Sequence, residues 1–102
     1  MPVRHVVMFR FVDGTTDEQV QALSDGLERM PEVVGAMLDY RHGRDVGINE
    51  GTYDYVVVGD FARVDDYLTY RDHPDHQALI RDLVRPIVGE RASIQFELAD
   101  AG

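Results

Sequence analysis

The chain has 102 residues, enough for one domain, with 10 basic and 19 acidic residues and a formal charge of −9. A chain this acidic repels phosphate backbones and anionic lipid, so neither nucleic acid nor a membrane surface is an expected partner. It contains no Cys, and all its basic residues are Arg, which excludes thiol nucleophiles, disulfides, thiolate metal sites and Schiff-base chemistry.

Residues 3–12 (VRHVVMFRFV) are β-branched and aromatic and predict a strand. His5, Val7, Phe9 and Phe11 share one face of it, and Val6, Met8 and Arg10 the other. Both faces are largely apolar, so both need cover. Residues 16–30 predict a helix capped by Thr15 or Thr16, with Glu18 or Gln19 closing a capping box, and Pro31 as its end. Val20, Leu23, Leu27 and Met30 recur at helical spacing along it. Residues 37–42 predict a second strand ended by Gly43, followed by a polar loop over 43–52. Residues 53–61 (YDYVVVGDF) predict a third strand, with Tyr53, Tyr55, Val57 and Phe61 on one face.

Residues 63–71 suit a short helix that breaks before Pro74, because a residue preceding proline is driven out of the helical region. Pro74 then opens another helix running to about Val84, loosened or ended by Pro86. Residues 91–98 alternate and predict a last strand, with Ile94, Phe96 and Leu98 inward. The order β-α-β-β-α-α-β implies one domain over 1–102. Its class is α+β: a ferredoxin-like four-stranded antiparallel sheet with helices on one face. The other face, carrying Val6, Met8, Val56 and Val58, is too apolar to stay wet, and a second copy of the same face is the economical cover. Arg10, Asp54 and Asp60 share that face, either pairing or lying at its rim. No apolar run reaches membrane-spanning length, and residues 1–5 lack a signal peptide's apolar core, so a cytoplasmic location is expected.

Three pieces of sequence, in this order, resemble the Dabb family, the stress-responsive dimeric α–β barrel proteins. They are the strand Val3–Phe11 with its histidine, the segment Gly43-Arg44-Asp45-Val46, and Tyr70-x-x-His73-Pro74-x-His76. The resemblance covers nearly the whole chain and implies a homodimer through the open sheet face. One branch of that family, the plant olivetolic acid cyclase, closes a linear polyketide by intramolecular aldol chemistry without metal or organic cofactor. By that resemblance the catalytic positions fall on His76, Tyr70 and His5. A further pocket histidine of that branch falls on Tyr55 here. The implied lining is Tyr55 with Val7, Leu23, Leu27, Val57 and Ile87, around a small apolar or aromatic molecule, with no cofactor.

The residues themselves fit that chemistry. A histidine in the first turn of a helix is disfavoured as imidazolium, so His76 is placed to act as a neutral base. Tyr70, just before the proline break, is placed to donate a hydrogen bond to a developing enolate. His76 also fits a supporting role for the loop, Tyr70 a core role with its hydroxyl bonded to backbone, and His5 a buried group that has found a partner. His73 reads as a helix cap and His42 as solvent-exposed. No two histidines have zinc-site spacing, and no metal is expected. Three functions fit the pattern: a cofactor-independent lyase, cyclase or isomerase acting on a small carbonyl compound; a non-catalytic small-molecule-binding or stress-response module; and haem chemistry with His76 as axial ligand.

Overall fold

The structure is a computed structural model and describes residues 1–99. Four strands form one sheet: β1 (Val3–Phe11), β2 (Met37–Arg44), β3 (Tyr55–Phe61) and β4 (Val88–Glu97). Their spatial order is β2-β3-β1-β4, and every neighbouring pair is antiparallel. Helices α1 (Asp17–Val34), α2 (Val64–Asp72) and α3 (Pro74–Leu79), with a π-helical turn over Ile80–Val84, supply the crossovers. This is the ferredoxin-like arrangement that the element order implies. No helix among the described residues is long and apolar enough to cross a membrane.

Alternation along β1 and β3 decides which face the helices cover. Val3, His5, Val7 and Phe9 are buried, as are Tyr55, Val57 and Phe61 opposite them. Val20, Leu23, Leu27 and Met30 of α1 pack onto Val7, Phe9, Tyr55 and Val57 as the main core. Val3, Phe61 and Tyr70 form a second cluster under α2. Among the described residues nothing covers the opposite sheet face, and Ile94 and Phe96 on it are 59% and 42% exposed. Its charges are arranged within the chain: Arg4 grips Asp60 through two bonds of 2.8 and 2.9 Å, and Arg10 pairs with Glu90 at 2.7 Å. Asp54 instead accepts the backbone N–H of Phe11 at 2.8 Å.

Several boundaries differ from expectation, each for a physical reason. Thr16 is the α1 cap and Gln19 completes the box, but the helix runs through Pro31 to Val34. Proline removes one donor and crowds the carbonyl four residues before it, a local cost confined here to the last turn. Its carbonyl still accepts from Gly35, which sits at φ 70° and closes the helix in the left-handed region. Gly43 lies inside β2 rather than ending it, paired with Val56, and Tyr53 precedes β3, lying under the Arg10 guanidinium at 4.4 Å. The helix begun at Pro74 is α-helical only to Leu79 and then widens, the Arg85 N–H reaching the Ile80 carbonyl at 2.9 Å.

The phase of β4 is also inverted. Ile94 pairs with Val6 and Phe96 with Arg4, so both face the open side, not the helices. Leu98 lies just past the strand, half-buried. The helix side of β4 carries Arg91, Ser93 and Gln95 instead, and they border a cavity rather than a dry core.

Candidate active site

The cavity of about 670 Å³ lies between the helix side of β1 and β4 and the roof made by α2, α3 and the π turn. Its inner end is built from buried His5, Val7, Leu27, Val57 and Tyr70, with buried Phe9 on its floor at the level of Arg91. Its outer end is built from exposed Arg71, Arg85, Glu90, Arg91 and Ser93, which therefore mark the mouth, while exposed Gln95 borders it beside His5. The π turn matters to this shape. An i→i+5 turn brings Ile80, Val84 and Arg85 together on the cavity side, and such turns recur at functional sites.

The break at Pro74 orients the two central side chains. Proline has no N–H to continue α2, so carbonyls of that helix's last turn need other donors. The Arg71 carbonyl accepts from His76 Nδ1 at 3.1 Å and from Gln77 Nε2 at 2.6 Å. His73 caps the new helix, its Nδ1 accepting the Asp75 N–H at 3.1 Å. A carbonyl can only accept, so His76 Nδ1 carries the proton and, in the neutral ring, Nε2 keeps its lone pair. Burial lowers the His76 pKa, and nearby His73 adds to that, while the bond to Arg71 works against it. Burial of the imidazole, more than the helix end inferred from sequence, is what favours the neutral form.

Tyr70 ends its ring 4.0 Å from the His76 ring, centroid to centroid. It is 2% exposed, and its hydroxyl lies 2.7 Å from that of Tyr40 on β2. Burial pushes the Tyr70 phenol up to about 12 and raises that of Tyr40 further, so both are protonated at neutral pH. His5 is 6% exposed, and Gln95 Nε2 donates to its Nδ1 at 2.8 Å. Burial lowers the His5 pKa to about 4, with the fields of His76 and Arg91 acting in the same direction. His5 is therefore a neutral ring whose Nε2 bears the proton, beneath Tyr67 at 4.9 Å and Tyr70 at 6.2 Å.

The structure thus gathers His76, Tyr70 and His5 around one cavity with Val7, Leu27 and Val57. Leu23, Ile87 and Tyr55 are not part of its wall. Leu23 and Ile87 are fully packed into the core away from it. Tyr55 pairs with Phe9 at the opposite end of the sheet register from His5, and its hydroxyl points to β2. There it meets His42, which is 5% exposed in its side chain and far from the solvated group expected. His42 Nε2 donates to Glu28 at 2.6 Å and Nδ1 lies 2.7 Å from the Tyr55 hydroxyl, so the three residues tie α1 to the sheet. Among the described residues no three His, Asp or Glu side chains converge to hold a metal ion.

Tyr40, Gln95 and the mouth arginines escaped the sequence reading. The Arg91-x-Ser93-x-Gln95 alternation was the available signal: a polar stripe at period two inside an otherwise apolar strand marks a wet wall.

Comparison with known proteins places the fold in a family. The family model described as the stress responsive A/B barrel domain (Dabb) matches residues 3–98. The stress-response A/B barrel domain-containing protein HS1 of Arabidopsis thaliana is 28% identical over 78 residues, spanning 74% of this chain and 71% of that one. A dimeric ferredoxin-like protein of unknown function from Thermobifida fusca superposes with a TM-score of 0.89 at 35% identity, over 96% of this chain and 92% of that one. Hydroxynitrile lyase from Passiflora edulis shares the fold at a TM-score of 0.84 and 15% identity, over 99% and 96% of the two chains. With a family match that runs from the first strand to the end of the last, the chain belongs to the stress-responsive A/B barrel (Dabb) family.

Proposed function

We propose that this protein is a lyase, cyclase or isomerase that removes a proton next to the carbonyl of a small substrate, using side chains alone. The observation that carries the reading is the His76–Tyr70 pair on one cavity wall, with His76 Nδ1 held by the Arg71 carbonyl. That bond leaves Nε2 as the basic atom. Nε2 takes the proton, the C–H electron pair moves into the substrate to form an enolate, and His76 becomes imidazolium. Tyr40 donates to the Tyr70 oxygen in this scheme, which frees the Tyr70 O–H to bond the enolate oxygen. The enolate then attacks a second carbonyl, expels a leaving group or is reprotonated, and the imidazolium returns its proton. His5 Nε2–H is a second donor for orienting the carbonyl.

The reading is tested by incubating the protein with a panel of small aliphatic and aromatic ketones in D2O and following loss of the α-proton signals by NMR. Accelerated exchange with wild-type protein, cut at least about tenfold in Tyr70→Phe, supports the enolate scheme. The second reading, a binding module of the same fold, is favoured by the structural partners that Tyr70 and His76 already have in Tyr40 and Arg71. It predicts that a ketone raises the melting temperature with no exchange above the uncatalysed rate.

The same reading includes a homodimer. The open face bearing Val6, Met8, Val56, Val58 and Ile94 needs an apolar partner, and the Thermobifida fusca relative is described as dimeric.

A further inference from the structure

We propose that the cavity mouth is an anion anchor, in which Arg85 and Arg91 hold the carboxylate of an elongated keto acid whose carbonyl reaches the inner end. This inference rests on the proton-abstraction reading of that inner end and names the substrate class it serves.

The charges at the mouth do not cancel one another. Four charged residues besides the histidines border the cavity: Arg71 and Arg85 from the roof, and Glu90 and Arg91 from β4. Arg71 is committed to Asp72 through bonds of 2.8 and 3.1 Å. Glu90 is committed to Arg10 at 2.7 Å. Arg85 and Arg91 make no side-chain hydrogen bond or ion pair among the described residues, although the chain as a whole carries a charge of −9. Acidic partners are thus abundant, and every other arginine but Arg29 has taken one. Two uncommitted guanidinium groups therefore border one cavity, each a fork-shaped donor suited to a carboxylate.

The fold places them deliberately with respect to the chemistry. Arg85 follows the π turn, whose extra residue swings it onto the cavity side. Arg91 lies opposite Phe9 on β4, while Gln95 lies opposite His5. Four residues of strand separate those two levels by about 13 Å. A bare anion at the mouth would leave the inner end empty. A molecule that satisfies both needs a carboxylate, several methylenes lying on Val7 and Leu27, and a carbonyl near His76.

The test uses 6-oxoheptanoate and its amide, which share a carbon chain and differ in the anionic group. Titration calorimetry at low salt is expected to show the acid binding at least about tenfold more tightly than the amide. In the double variant Arg85→Met/Arg91→Met that preference should fall below about threefold, while His76→Gln should keep it. Both arginines are exposed, so the variants are expected to fold, which a melting curve confirms. Equal affinities in the wild type, no binding of the acid at about 10 mM, or a preference surviving the double variant would each overturn the anchor. NMR of the same samples in D2O separates this from the catalytic reading. Acid preference without α-proton exchange retains the anchor and rejects the base.

Discussion

At the scale of single residues, His76 and His5 show how burial sets the chemistry. Both imidazoles are pushed toward the neutral form, His5 to about 4. For His5 the unfolded state therefore binds its proton near pH 6.5 and the folded state only near pH 4. Stability contributed by this group is present above pH 6.5 and is lost as pH falls through that window, by an amount on the order of 2–3 kcal/mol. Urea melts at pH 7, 5 and 4 should show a steeper loss for the wild type than for His5→Gln; equal slopes would mean that His5 does not titrate this way. The candidate residues themselves were legible, because Tyr70, His73, Pro74 and His76 sit together in sequence. Their partners were not. Tyr40 and Gln95 reach Tyr70 and His5 from 30 and 90 residues away, and only the sheet register brings them there. His42 was misread for the same reason. Its position near a strand end suggested water, but Glu28 and Tyr55 enclose it from α1 and β3.

At the scale of elements, helix α1 was the most readable because its start signal is local. Thr16 and Gln19 bond each other's backbone across three residues, at 3.1 and 2.9 Å. Thr16→Ala should cost about 1 kcal/mol, read as a shift in the urea midpoint without a change in slope. Its end was harder to read, since Pro31 is a strong stop signal and is overridden here by Gly35. Gly35→Ala forces a side chain into φ 70° and should cost about 1–2 kcal/mol by the same measurement. The π turn had no signature at all: it differs from an α-helix by one residue of register, which no local pattern in IRDLV records. The phase of β4 failed on a different point. Alternation in β4 predicts apolar residues facing the helices, whereas the helix side is the polar cavity wall and the apolar side is the open face.

At the scale of the whole molecule, the sheet has two tasks on its two faces. One face closes a core and half of a cavity with helices. The other carries an apolar field over β1, β3 and β4, with Arg4 and Asp60 paired beside it. The ferredoxin-like topology was legible because strand and helix periods alternate in an order that few arrangements satisfy. In the proposed homodimer through the open face Ile94 is central, since it is large, apolar and 59% exposed. Ile94→Asp should convert the dimer to a monomer in light-scattering measurements at micromolar concentration, with the far-UV circular dichroism unchanged. A wild-type protein that is already monomeric would contradict this.

The cavity, the free Nε2 of His76 and the Tyr70 hydroxyl converge on one claim, that this site abstracts a proton beside a carbonyl. The most direct measurement is the α-proton exchange rate in D2O of the best-exchanging ketone, taken with wild-type protein and with His76→Ala across pH 5 to 8. The expected result is protein-catalysed exchange that rises with pH as the imidazole loses its proton, with an apparent pKa below 6.5, and that falls about 100-fold or more in His76→Ala. Exchange that is equal in the two proteins would contradict the claim.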